Sequence, residues 1–187
     1  GEAGDPNWST VNPLLVPYPG ASGGGVTEAL LHGDPDGPVW RPGETDTSIR
    51  PGWFYHPAED DRVRSTEALI QLYFTSVGRN SKLLLNVPPT RTGLLHATDV
   101  ARLTGMRQSL DALFRQNLVA DRAFSWRATG NRSAVAELDL AMPGQSVRVG
   151  IADLREQIED GQVVARYLLE GSDGGAWRTL SRGTTIG

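Results

Sequence analysis

Residues 81–87, Ser81-Lys-Leu-Leu-Leu-Asn-Val87, form a short and nearly continuous apolar run that is stopped by Pro88-Pro89. Such a run reads as a strand buried on both faces, as in a parallel sheet. Helical patterns flank it. Ahead of it, Ser65 is placed to cap a helix, Glu67 sits in the first turn, and Ala68, Leu69, Leu72, Tyr73 and Ser76 share one stripe until Gly78 ends the pattern. After it, a loop with Gly93 leads to a second helix capped near Thr98, with Val100, Leu103, Met106, Leu110, Leu113 and Phe114 at helical spacing. Helix, buried strand, loop and helix is the rhythm of a βα-repeat protein.

Beyond about Ala120 the apolar period changes to two. Ala134, Ala136, Leu138 and Leu140 alternate with polar or outward positions, as do Val147, Val149 and Ile151, and then Val163, Ala165, Tyr167 and Leu169. Asp173-Gly174-Gly175 ahead of Ala176-Trp177-Arg178-Thr179-Leu180 is a hairpin signal. The expectation is an antiparallel β domain over 120–187, with Trp126 and Trp177 in its core. It has about four strands where a sandwich has about seven, so this domain reads as truncated.

Residues 1 to about 64 are rich in Gly and Pro, with a short helix expected over Thr27 to Leu31. The chain opens at Gly1 without a methionine and reads as cut at its front, so the missing leader pattern does not fix a compartment. Net charge is −4 and the basic residues are dispersed. This argues against nucleic acid as a partner, because phosphate binding needs clustered Lys and Arg. No apolar run approaches the roughly 20 residues of a membrane span. The chain has no cysteine, which excludes disulfides, thiolate zinc sites and a cysteine nucleophile. His32, His56 and His96 lack metal-ligand spacing and no Gly-rich stretch carries the following Lys-Ser/Thr of a phosphate loop, so neither a metal nor a phosphate-bearing organic cofactor is expected. Gly20-Ala-Ser22-Gly-Gly24 matches the G-x-S-x-G nucleophile elbow, which keeps a serine hydrolase built on Ser22 as an alternative. Pro17 and Pro19 interrupt the strand such an elbow needs.

The most unusual segment is Trp40-Arg-Pro-Gly-Glu-Thr-Asp-Thr-Ser-Ile-Arg-Pro-Gly-Trp-Phe-Tyr-His-Pro57. Only 7% of the chain is aromatic, yet this stretch holds two tryptophans, a phenylalanine and a tyrosine with no periodicity to bury them. One reading is a proline-stiffened loop whose rings plug a core. The other is a sugar-binding wall. C–H faces of a sugar pack on Trp and Tyr, and its hydroxyls take bidentate partners such as Glu44, Asp46 and Arg50. A βα-barrel keeps its site in the loops that follow its strands.

This segment, together with Tyr73-Phe-Thr-Ser76-Val-Gly78-Arg79-Asn80-Ser-Lys-Leu-Leu-Leu85-Asn86-Val-Pro-Pro, resembles the C-terminal half of the catalytic domain of the α-L-fucosidases of glycoside hydrolase family 29. The subgroup it is most similar to acts on branched α-1,3/1,4-linked fucose. Leu154-Arg-Glu156-Gln-Ile158, Gly161-Gln162-Val163, Trp177 and Gly183-Thr-Thr-Ile-Gly187 are similar to the family's β-sandwich appendage.

The resemblance implies an α/β fold. Residues 1–119 would be the C-terminal portion of a (β/α)8-like barrel and 120–187 a truncated antiparallel β-sandwich. It also implies a retaining mechanism, in which an Asp attacks the anomeric carbon while a Glu protonates the leaving oxygen, with the two carboxyls about 5 to 5.5 Å apart. The nucleophile would lie upstream of Gly1, leaving this chain inactive by itself. Glu2 is the acid/base candidate, although the register puts the family's Glu just before Gly1. Trp40, Glu44, Arg50, Trp53, Tyr55 and His56 are the candidate substrate contacts at the barrel mouth, on βα units running from Trp53 to about Gly78 and from Ser81 to Leu118. Glu44 and Arg50 would bind hydroxyls or orient each other, and Asn86 would brace the site from behind. The partner is a fucosylated oligosaccharide or glycoconjugate. A carbohydrate-binding module without chemistry is the second reading.

Overall fold

The computed structural model describes residues 7–120, 122–140 and 147–186. The chain divides into two compact units, Gly1–Arg107 with Leu154–Gly187, and Gln108–Asp153.

The first unit opens with strand β1 (Thr10–Val11), helix α1 (Gly24–His32) and strand β2 (Val39–Trp40), which pairs antiparallel to β1 with Thr10 opposite Trp40. The expected helix over Thr27 to Leu31 is therefore present and one turn longer. Gly33 closes it in the left-handed region, where any Cβ would run into the Trp8 backbone.

The functional frame follows. Strand β3 (Gly43–Ser48) leads through a loop and a 3-10 turn at Pro57–Glu59 into helix α2 (Thr66–Ser76). Strand β4 (Ser81–Asn86) then leads into helix α3 (Ala97–Leu113). β3 and β4 are parallel, in register from Gly43 opposite Ser81 to Ser48 opposite Asn86. Ser65 caps α2 as expected, its hydroxyl accepting from Ala68 N–H at 3.2 Å. The expected stripe buries Leu69, Leu72 and Ser76. α2 ends through a 3-10 turn at Val77–Arg79, and Asn80, not Gly78, makes the left-handed turn at φ 62°. The cap of α3 likewise differs in detail: His96 Nδ1 accepts from Thr98 N–H at 3.3 Å.

A small core joins these elements. Ile49, Val63 and Leu69 are buried together, with Leu85, Val87, Leu103 and Met106 packed against them. Each such side chain contributes about 1.5–3 kcal/mol when it leaves water. The parallel pairing of β4 agrees with the sequence reading, but two-sided burial does not. Lys82 and Leu84 are exposed, because among the described residues no layer covers that face. Val100, Leu113 and Phe114 are exposed as well, so the helical stripe of α3 is only partly covered, at Leu103, Met106 and Leu110.

In the second unit, β5 (Arg127–Gly130) pairs antiparallel with β6 (Ser133–Val135). In the first, β7 (Tyr167–Gly171) pairs antiparallel with β8 (Arg178–Gly183) across the Asp173-Gly174-Gly175 turn predicted above, with Gly174 at φ 96°. Ser172 organises that turn by accepting from Gly174 N–H and donating to Gly175 C=O. Two expectations fail here. Residues 147–151 carry no strand. Trp126 and Trp177 are exposed at 70% and 57%, because each two-stranded ribbon lacks a second sheet to cover its rings among the described residues. Gln162 ties the C-terminal segment to the front of its unit. Its carboxamide accepts from Ser9 N–H and donates to the Thr185 hydroxyl at 3.1 Å.

Candidate active site

The stretch from Trp40 to Pro57 is not one loop. Its first half is strand β3, so the first βα unit begins at Gly43 rather than at Trp53. The strand was hidden by its composition, since Gly-Glu-Thr-Asp-Thr-Ser has none of the Val, Ile and Leu expected of a parallel strand. Its buried polar side chains are satisfied internally instead. Thr45 Oγ1 lies 2.9 Å from Ser81 Oγ, Arg64 donates to Thr47 Oγ1 at 3.1 Å, and Asn86 donates to Ser48 Oγ at 3.0 Å.

The C-terminal ends of β3 and β4 organise the second half. Ser48 Oγ donates to Gly52 C=O at 2.8 Å, Ile49 N–H donates to Asn86 C=O at 3.0 Å, and Asn86 Nδ2 donates to Trp53 C=O at 3.0 Å. These bonds hold the backbone of Trp53 against the strand ends, while its indole is 52% exposed and Phe54 beside it 78%.

Behind Trp53 lies a charged cluster. Arg50 is enclosed, with Nε donating to Asp99 Oδ2 at 2.9 Å and Nη1 to Asp60 Oδ1 at 2.9 Å. Burial pulls the guanidinium pKa down, but the hydrogen bonds and charges of Asp99 and Asp60 outweigh it, so the net shift is upward and Arg50 stays charged. The guanidinium carbon stands 4.8 Å from the centre of the Tyr55 ring. Tyr55 Oη donates to Asp60 Oδ2 at 3.3 Å, and His96 Nε2 is 3.4 Å from that oxygen. Burial first, then the charge and hydrogen bond of Asp60, push the Tyr55 hydroxyl above its ordinary pKa.

The structure therefore brings Arg50, Trp53 and Tyr55 together at one end of the parallel pair. Glu44 lies near the other end, roughly 13 Å from Ser48 along an extended strand, and pairs with Lys82 at 3.5 Å. The expected Glu44–Arg50 partnership is thus not formed, because each has another counter-ion. Trp40 belongs to β2, is 69% exposed, and precedes β3. Next to it, Arg41 N–H donates to Ser9 C=O, and Ser9 Oγ is bonded by Asn80, the residue just before β4. His56 is exposed, and its C=O accepts from Glu59 N–H. Glu2 lies outside the described residues. Ser22 is exposed between turns, and no strand runs into it after β1, so the strand-turn-helix of a nucleophile elbow is not built there.

Asp60, His96 and Asp99 are the residues that sequence reasoning missed. Asp99 reads as an ordinary first-turn carboxylate and Asp60 as one of three consecutive acids. The available signal was His96 immediately before a helix start, where a ring nitrogen can cap.

Residues 26–112 match the family model of the alpha-L-fucosidases. Alpha-L-fucosidase 1 of Arabidopsis thaliana is 34% identical over 83% of this chain. The chain belongs to the α-L-fucosidases of glycoside hydrolase family 29. It spans 40% and 35% of the lengths of its rice and Arabidopsis relatives. The crystal structure of SpGH29 superimposes with a TM-score of 0.82 at 33% identity, over 99% of this chain and 44% of that one. A Ruminococcus gnavus fucosidase crystallised in complex with fucose gives 0.79 at 25% identity, over 99% and 41%. The residues matched by the family model include all of β3, α2 and β4, together with Arg50, Asp60 and Asp99.

Proposed function

We propose that this chain supplies part of the catalytic domain of an exo-acting, retaining α-L-fucosidase that removes α-1,3/1,4-linked fucose from oligosaccharides. The observation that carries the reading is the likeness of 99% of the chain to a fucosidase holding fucose. In this reading β3, α2, β4 and α3 are consecutive βα units of a (β/α)8-like barrel within residues 1–119, and 120–187 is the sandwich portion. The parallel pairing of β3 with β4, and the antiparallel pairs that follow residue 120, support that division.

Trp53 offers the sugar an apolar face at the C-terminal rim, where a barrel keeps its site. A deoxyhexose suits such a ring, because its methyl group and C–H face are apolar while its hydroxyls are not. Arg50 and Tyr55 both turn to Asp60 behind the loop and are not assigned to the sugar. Trp40 and Glu44 lie towards the other strand end and are not assigned to the sugar. The two carboxyls of double displacement come from elsewhere: an Asp nucleophile on an earlier barrel strand upstream of Gly1, and an acid/base Glu near Glu2. An aspartyl ester forms as the protonated glycosidic oxygen departs, and water activated by the Glu cleaves it with net retention.

Release of an aryl α-L-fucoside tests the reading. The whole protein should turn it over, with α-fucose as the first product by NMR, and residues 1–187 alone should release none. No turnover by the whole protein overturns the reading. Turnover by residues 1–187 that is lost in Glu2→Gln overturns the placement of the nucleophile. The half-exposed indole of Trp53 favours one second reading, sugar binding without chemistry, which predicts fucose binding by the whole protein with no release.

A further inference from the structure

The described residues contain one cluster whose role the reaction leaves unassigned. Arg50 and Asp99 side chains are both closed off from solvent, and Asp60 is partly so. Arg50 stands two residues past the end of β3, Asp60 precedes α2, and Asp99 stands in the first turn of α3. One guanidinium therefore joins two points of the loop that leaves β3 to the first turn of α3. A planar fork can bind two carboxylates on two edges at once, which a lysine ammonium cannot do in that geometry.

The remaining contacts converge on Asp60. Tyr55 donates to its Oδ2, and His96 faces the same oxygen. His96 Nδ1 accepts from Thr98 N–H, which puts the ring proton on Nε2 and aims it at Asp60. The start of α3 thus fixes the tautomer that helps to hold the loop. Nη2 of Arg50 and Oδ1 of Asp99 are buried without partners. Nη2 stands on the same edge of the guanidinium as Nε, the edge that Asp99 Oδ2 already meets.

We propose that Arg50 and Asp99 are positioning residues for the sugar site. They pin the loop over 49–64 to the start of α3, and so fix where Trp53 presents its indole. The inference rests on the fucosidase reading, and acts through Trp53 rather than by contact with sugar. A loose loop costs binding before it costs chemistry, because the reacting carboxyls lie on other segments.

Asp99→Asn, Arg50→Lys and the milder Asp60→Asn test it in the whole protein. Asp99→Asn and Arg50→Lys should each raise KM for the aryl fucoside about 10- to 100-fold while kcat stays within about 3-fold. Asp60→Asn should give a smaller rise in the same direction. Chymotrypsin should cut at Trp53, Phe54 or Tyr55 faster in all three than in the wild type. Leu72→Ala, in the buried face of α2, is the control: it should lower the melting temperature without moving KM or the cleavage rate. Unchanged KM and unchanged cleavage in folded Asp60→Asn overturn the proposal, as does an equal KM rise in Leu72→Ala. If the wild type releases no fucose, the reaction reading fails alone, and cleavage decides whether the pin exists.

Discussion

Asn86, the last residue of β4, donates through one carboxamide to both Ser48 Oγ and Trp53 C=O, each at 3.0 Å. A single side chain thereby couples the parallel strand pair to the residue that faces outward at its rim. Asn86→Ala removes both bonds. At about 0.5–1.5 kcal/mol per bond it should destabilise the protein by about 1–3 kcal/mol in urea unfolding. A loss below about 0.3 kcal/mol would mean that water replaces the amide without cost.

The N-terminus of α2 makes a pH prediction. The Ser65 hydroxyl accepts from Ala68 N–H, and Glu67 is held below the usual carboxylate pKa, first by its own backbone N–H and then by Ser65. A carboxyl with a depressed folded pKa stabilises the fold above its unfolded value, and this contribution disappears as pH falls through the folded value. Ser65→Ala should cost about 1 kcal/mol at neutral pH and move the Glu67 carboxyl resonance toward ordinary titration. An unmoved Glu67 would contradict the link.

Gly105 marks a close crossing of α3 over α2, where an added Cβ would lie 2.6 Å from Thr66 Oγ1 and 3.3 Å from its Cγ2. Gly105→Ala gains about 1 kcal/mol of helix propensity but overpacks a stiff β-branched neighbour, at a cost of about 1–3 kcal/mol. Thermal unfolding should show a net loss in the wild type and a gain in a Thr66→Ala background. The same sign in both backgrounds would refute the crossing.

Tyr55 makes the alkaline counterpart. Burial, and then Asp60, raise its pKa, so the neutral phenol stabilises the fold below its ordinary value near 10. That contribution is lost as pH rises through the folded value. The absorbance at 295 nm removed by Tyr55→Phe should appear at higher pH than that of free tyrosine, and Asp60→Asn should bring it back down. An ordinary titration would show that Tyr55 does not face the carboxylate.

Much of this frame was legible in the residues. Ser65 with Leu69 and Leu72 announced α2, because that stripe is buried, and the apolar run at 81–87 announced β4 and its parallel pairing, although Lys82 and Leu84 on one face are exposed. β3 was not legible, since Thr45 and Ser48 are buried as polar residues bonded to Ser81 and Asn86, and such bonds join residues far apart in sequence. The same reason hid Asp99, whose partner Arg50 lies 49 positions earlier, while Asp60 meets Arg50 across ten positions of one irregular loop. Among the candidate sugar contacts, chain order could not separate Trp40 from Trp53. The strand between them does, because it carries the chain from one end of the parallel pair to the other. Trp126 and Trp177 failed as core residues because alternation marks a strand face but not whether a second sheet covers it.

In the proposed fucosidase, Trp53 faces the sugar at the rim and Trp40 does not. The decisive measurement is kcat/KM for an aryl α-L-fucoside with the whole protein and with Trp53→Ala and Trp40→Ala. Loss of one stacking face of about 1.4 kcal/mol is roughly 10-fold. Trp53→Ala should show at least that loss and Trp40→Ala less than about a 2-fold change. Equal losses in the two variants, or an unchanged Trp53→Ala, would contradict that placement.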